Sequence, residues 1–373
     1  MNHQIRFCKS FDGVRLAYAI TGEGPPLVKA PHWLTHLEHE WQSPIWKPWI
    51  ESLSRSHTLL RMDERGCGLS DWKVGDISFE AMVRDLEAVV DAAGFERFAL
   101  MGHSQGGAIA VEYAARHPER VSHLVLLGAF MRGGRRCNPS PQAAEEMDML
   151  LKLIELGWGR DDPSYRQMFA MQFLPGGTRE EINSFSELQR KSATPENAVR
   201  IASCLMSVDI SESVKRVQCP TLILHARDDR RIPFSQALQL AESIPGALLV
   251  PLESINHILL PHEPAFRLFF DELSAFLPSF EPIRRKSVFP DLTPRELDVL
   301  EHIARGLDNA QIAAHLGLSE KTVRNHITRV FDKVGVENRS KAIVLARNLG
   351  LGIERPERAS LSPTRPVDTS PTP

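Results

Sequence analysis

Ten residues, FALMGHSQGG at 98–107, constrain this chain more than any others. An apolar run at 98–101 ends in Gly102-His103-Ser104-Gln105-Gly106-Gly107, and a helical pattern at 108–116 follows at once. A serine at so abrupt a strand-to-helix reversal is held in strained dihedrals. Glycines are required on either side because side chains there would collide. The turn lifts the serine hydroxyl to the edge of a sheet, above a helix N-terminus. The remaining pattern supplies that sheet. Apolar runs at 27–30, 58–62, 123–127, 221–226 and 247–250 suit parallel strands covered on both faces. Segments 5–8 and 14–20, on either side of Asp12-Gly13, read as a hairpin. Phe79, Met82, Val83, Leu86, Val89, Val90 and Ala93 recur at helical spacing before Gly94, an amphipathic helix with a glycine stop. Such alternation predicts an α/β fold with a doubly wound, mostly parallel sheet.

The alternation stops between 132 and 214, where helical patterns (143–156, 179–191, 195–206) occur without a strand. An insertion there is expected to cover the carboxyl edge of the sheet as a helical lid. A last helix at 264–277 leads into the joint PSFEPIRRKSVFP, and the chain closes on the apolar-poor segment ERPERASLSPTRPVDTSPTP. At 373 residues the chain exceeds one ordinary core. The expected domains are therefore 1–280 (lid about 131–214), a linker at 281–290, a small helical domain at 291–352 and a disordered tail at 353–373. No apolar run approaches the ~18 residues of a spanning helix, and the first residues lack signal-peptide features. Five scattered cysteines read as reduced thiols, so a cytoplasmic protein without membrane attachment is expected.

A nucleophilic serine needs a base, and the base an orienting acid. After the run at 221–226 come Asp228 and Asp229, and either fits the acid position. His257 lies just past the last strand, with His262 as the fallback. His32, His36 and His39 stand near Glu38 and Glu40, but they form no H-E-x-x-H pattern, so neither a metal nor another cofactor is expected. Trp33, Trp41, Trp46 and Trp49 read as packing under the lid or lining the pocket.

With these residues the first three-quarters of the chain resembles the α/β-hydrolase superfamily. Asp63-Glu64-Arg65-Gly66-Cys67-Gly68-Leu69-Ser70 is similar to the D-x-R-G-x-G-x-S loop of the branch that holds serine hydrolases, epoxide hydrolases and dehalogenases. Serine rather than aspartate at 104 implies ester-like substrates. The resemblance favours Asp229 as the acid, because His225 and Pro233 anchor a turn similar to H-G-x-x-D-x-x-x-P. It also implies an oxyanion hole built from the N–H groups of Trp33 and Gln105. The family's His-Gly is replaced by Pro31-His32 here, and a lost donor costs ~3 kcal/mol of transition-state stabilisation.

The C-terminal pattern is different. Thr293-Pro294-Arg295-Glu296 is a capping box with proline at the first helical position. Short helices are expected to Gly306, over 309–316, over 320–334 and from Ser340. In the third, Val323, Ile327, Val330, Phe331 and Val334 form a buried stripe. Lys321, Asn325, Thr328, Arg329 and Asp332 lie opposite, with Thr322 and Lys333 at the margins, the donors and cations that a groove-entering helix presents. From Leu292 to Ala346 the sequence resembles the LuxR-type helix-turn-helix nearly end to end, through L-T-x-R-E, S-x-x-T-V-x-N-H and K-x-G-V-x-N-R. The resemblance implies DNA contacts by Lys321, Thr322, Asn325, His326 and Arg329, and a homodimer on an inverted-repeat operator.

The expectation is a transcriptional regulator whose hydrolase-like domain senses, and hydrolyses, a small ester-, lactone- or thioester-like ligand. The alternative is a serine esterase or lactonase with an accessory DNA-binding domain.

Overall fold

The computed structural model describes residues 4–137, 140–277, 291–348 and 351. The expected linker at 281–290 and tail at 353–373 lie outside the described residues. The chain divides into two compact units, Met1–Phe280 and Glu281–Pro373. Among the described residues, no helix is long and apolar enough to cross a membrane.

The first unit is built on eight strands: β1 (Gln4–Lys9), β2 (Arg15–Thr21), β3 (Pro26–Lys29), β4 (Thr58–Met62), β5 (Phe98–His103), β6 (Val121–Leu127), β7 (Thr221–Ala226) and β8 (Leu248–Leu252). They lie in the order β1-β2-β4-β3-β5-β6-β7-β8. The hairpin β1–β2 is antiparallel and joins β4 antiparallel; every later pair is parallel. The central strands β5 and β7 are buried at every position, as near-continuous apolar runs require. The helix Phe79–Ala93 starts at the Ser78 cap and stops where Gly94 turns left-handed at φ 71°.

Between β6 and β7 the chain forms the helices Gly134–Cys137, Pro141–Gly157, Ser164–Ala170, Arg179–Ser192 and Pro195–Met206. Ser140, Thr178 and Thr194 cap the three longest through their side chains. The helices Gly134–Cys137 and Ser164–Ala170 were not legible as periodic patterns, because two turns or fewer carry no period. A bridge between Arg132 and Asp209 closes the base of the insertion.

The second unit consists, among the described residues, of the helices Pro294–Ala304, Asn309–Leu316, Glu320–Val334 and Arg339–Asn348. Leu300, Ile303, Ile312, Val323, Val330, Ala342 and Ala346 make its core. Thr293 with Glu296 and Asp308 with Gln311 form reciprocal capping boxes, and Gly317 and Gly335 end helices in the left-handed region. Side-chain caps at Thr293, Asp308 and Ser319 thus mark three helix starts in a unit too small to rely on core alone.

Candidate active site and DNA-binding helix

Ser104, Asp229 and His257 follow β5, β7 and β8 respectively, which run parallel, so all three stand at the carboxyl edge of the sheet. Ser104 adopts φ 55° and ψ −122° and opens the helix Gln105–Arg116. A Cβ on Gly102 would stand 2.4 Å from the Gly106 carbonyl oxygen, and one on Gly106 would stand 2.8 Å from that of Pro31. The elbow therefore closes only with glycine at both places.

Asp229 is buried and Asp228 is exposed. One Asp229 oxygen, Oδ1, accepts the N–H groups of Arg231 and Ile232 at 2.8 and 3.0 Å. The other, Oδ2, accepts His257 Nδ1 at 2.6 Å. Burial alone would raise this carboxyl, but the His257 imidazole and the backbone donors hold it below its ordinary value. His225 Nε2 donates to the Ile232 carbonyl at 2.9 Å, which pins the turn. The opposite nitrogen of His257, Nε2, is buried and bonded to nothing among the described residues. The structure does not draw Ser104 Oγ into a hydrogen bond with it, and such bonds are commonly loose before substrate arrives. His262 lies on the surface, 3.5 Å from Glu181, away from this pair.

Two residues that shape the site escaped the sequence reading. His103 Nε2 donates to the His257 carbonyl at 3.2 Å, tying the elbow to the histidine loop. Gly128, at φ 55°, lies against the His257 ring, where a Cβ would stand 3.0 Å from Cε1. Both depend on strand register, which leaves no local signature.

Among the described residues, Leu34 and Ser104 are the two non-glycine positions with positive φ, at 50° and 55°. Trp33 precedes the first and Gln105 follows the second, so backbone strain is concentrated on either side of the expected oxyanion donors. Neither the Trp33 nor the Gln105 N–H donates a hydrogen bond among the described residues. Glu64 fastens the two segments together. Its Oε1 accepts Leu34 N–H at 3.1 Å and its Oε2 accepts Gln105 Nε2 at 2.8 Å. Burial pushes the Glu64 carboxyl up to about 8 against these donors. Beneath them, Lys29 Nζ lies 2.6 Å from His32 Nδ1, and Arg61 donates to Glu40 at 2.9 Å. The histidines near Trp33 are thus committed to packing and ion pairs; among the described residues no cluster fit to hold a metal occurs.

Aromatic rings from the insertion roof the site. Trp33 meets Trp158 and Phe169 at 5.9 and 5.6 Å, Phe169 meets Phe173 at 5.3 Å, and Phe173 meets His257 edge-on at 5.6 Å. Trp46 and Trp49 lie deeper, against His32 and His103.

In the helix Glu320–Val334, Val323, Ile327 and Val330 are buried. Lys321, Asn325 and Arg329 are exposed, while Thr322 and His326 are half-buried. Thr322 N–H donates to the Ser319 cap at 3.2 Å. Lys333, expected at the margin of the outward face, is drawn to Glu296 at 2.7 Å and ties this helix to the first.

A strained serine turn on a mostly parallel sheet, with a buried Asp–His pair at the same sheet edge, is the architecture of the α/β-hydrolase fold. Residues 38–164 match the family described as alpha/beta hydrolase fold, and residues 290–346 match the bacterial regulatory proteins of the luxR family. A provisionally named carbamate hydrolase, RutD, of Pseudomonas savastanoi pv. phaseolicola is 32% identical over 58% of this chain and 82% of its own length. The chain belongs to the α/β-hydrolase superfamily and carries a LuxR-type DNA-binding domain at its C-terminal end. Among solved structures, a hydrolase from Pseudomonas aeruginosa (22% identity, TM-score 0.62) covers 74% of this chain with 99% of its own. An esterase from Exiguobacterium antarcticum (24% identity, TM-score 0.61) covers 72% with 98%. At these identities the likeness establishes the fold.

Proposed function

We propose that this protein is a transcriptional regulator whose hydrolase domain binds a small ester-, lactone- or thioester-like ligand and hydrolyses it through Ser104, His257 and Asp229. One observation carries the reading. The buried Asp229–His257 pair, at 2.6 Å, shares a sheet edge with a strained serine in a chain that also bears a LuxR-type DNA-binding domain.

In the reaction, Ser104 Oγ attacks the acyl carbon as His257 Nε2 takes its proton, while Asp229 holds the imidazole in the required tautomer. The Trp33 and Gln105 N–H groups receive the oxyanion. His257 then protonates the leaving alcohol or thiol. Water hydrolyses the acyl-serine by the same steps in reverse order, returning the proton to Ser104.

On DNA, Lys321, Thr322, Asn325, His326 and Arg329 make the contacts. The chain binds an inverted repeat as a homodimer in the cytoplasm, and the exposed Val344 on the last helix offers an apolar contact for it. The alternative, an esterase with an accessory DNA-binding domain, is favoured by the complete acid–histidine pair, which a pure receptor does not need.

The test is labelling by a fluorophosphonate together with operator affinity measured with and without candidate ligands. Labelling that vanishes in Ser104→Ala, with ligand-dependent DNA affinity, supports the regulator. Labelling with ligand-independent affinity supports the alternative. No labelling of the folded chain removes the catalytic reading.

A further inference from the structure

The turn that carries Asp229 places a cation against the Phe173 ring, which itself packs on His257. The Arg231 guanidinium lies 5.4 Å from the centre of the Phe173 ring, and that ring packs edge-on against His257. Arg231 is partly buried, and burial lowers its affinity for its proton.

The other sheltered cations of the hydrolase unit each reach at least one protein partner, although Arg61 Nε and Nη2 and Arg166 Nε stay unbonded. Lys29 meets His32, Arg61 meets Glu40, Arg65 meets Asp85 and Asp12, and Arg166 donates to the Trp158 carbonyl. The neighbouring Arg227 pairs with Glu253 at 2.8 Å. Among the described residues, Arg231 is the one arginine off the open surface whose guanidinium donates to nothing. Asp229 attracts it through space but takes no hydrogen bond from its side chain; the Asp229 oxygens face His257 and the N–H groups of the turn.

A half-screened guanidinium whose donors reach solvent and bond to no protein acceptor is free to take one from a ligand. Arginine's planar fork matches a carboxylate through two parallel bonds. Behind it, Phe173 packs against Phe169 at 5.3 Å, so the guanidinium borders the apolar roof.

We propose that Arg231 binds a carboxylate on the ligand, so that the site takes a dicarboxylate half-ester or an equivalent acid-bearing acyl compound; this rests on the hydrolase reading above. Arg231 then holds the free carboxylate while the ester carbonyl, a few carbons away, meets Ser104. No bond is made or broken at Arg231.

The experiment compares two ethyl esters of similar size, monoethyl glutarate and ethyl valerate, by ethanol release from the full chain. Wild type is expected to favour the anionic ester by about tenfold in kcat/KM, the scale of a charge-assisted hydrogen-bonded pair. Arg231→Met should bring the ratio close to one, and Arg231→Lys should restore part of it. A ratio unchanged in Arg231→Met, with both esters turned over, overturns the proposal and leaves the hydrolase reading standing.

Binding is read separately in Ser104→Ala, by thermal shift with glutarate at constant ionic strength. Stabilisation that disappears when Arg231→Met is added supports the anion site even if wild type hydrolyses neither ester. Equal stabilisation of the two proteins, or none, overturns it. Circular dichroism of each variant excludes loss of fold as the cause.

Discussion

Glu64 and Gln105, 41 positions apart in sequence, meet through a 2.8 Å hydrogen bond that joins the two loops carrying the expected oxyanion donors. The same carboxyl holds Leu34 N–H through its other oxygen, so one buried side chain sets the spacing between Trp33 and Gln105. Removing it should loosen transition-state contacts more than substrate binding. Glu64→Ala is expected to lower kcat on a short-chain ester by about tenfold or more with little change in KM, measured by steady-state kinetics.

The same group makes a pH prediction. Its carboxyl is raised from 4.5 to about 8 by burial, so between those values the folded state keeps a proton that the unfolded chain has released. Its contribution is fully favourable below 4.5 and is lost as pH rises through about 8. Urea midpoints of wild type should therefore fall across this window more steeply than those of Glu64→Gln.

The acid assignment is tested by the pair of adjacent aspartates. Asp229→Asn should lower kcat by on the order of 1,000-fold or more, because the His257 tautomer is no longer fixed. Asp228→Asn, on an exposed carboxylate, should stay within about twofold. Burst-phase release of the first product reports acylation directly, and a larger loss from Asp228→Asn would move the acid.

Gly128→Ala should damage the site without removing any of its side chains. Positive φ and a Cβ 3.0 Å from His257 Cε1 force the ring or the backbone to shift. A loss of about 1–3 kcal/mol in stability is expected by calorimetry, with a fall in kcat that exceeds any change in KM.

In the DNA-binding unit, Asn325→Ala should cost about 1–3 kcal/mol on the operator and little on scrambled duplex, as for a base contact. Arg329→Ala should weaken both and reduce the salt slope by about one. Fluorescence anisotropy over a salt series separates them. Equal weakening of both duplexes by Asn325→Ala would remove that residue from base reading.

The parts legible in the sequence were those written locally. Apolar runs marked the strands to within a few residues, and Thr293-Pro294-Arg295-Glu296 marked a helix start because capping uses neighbours three apart. The elbow was readable because its glycines flank the serine directly. The choice of Asp229 over Asp228 came from resemblance, since adjacent aspartates in a turn are chemically alike until burial separates them. The roles of Glu64, His103 and Gly128 were not readable, because each acts on a residue that only strand order brings near. Lys333 shows the same limit: helical spacing placed it beside the outward face, and tertiary packing turned it to Glu296.

The Phe173 carbonyl accepts the N–H of His257 at 2.9 Å and that of Ile258 at 3.3 Å, so the roof and the histidine loop share a peptide anchor. Moving Phe173 would strip the His257 backbone N–H of its partner. Under the proposed reaction, a guest bulky enough to displace Phe173 would cost His257 its anchor, so a falling rate on larger esters would report strain at this one peptide.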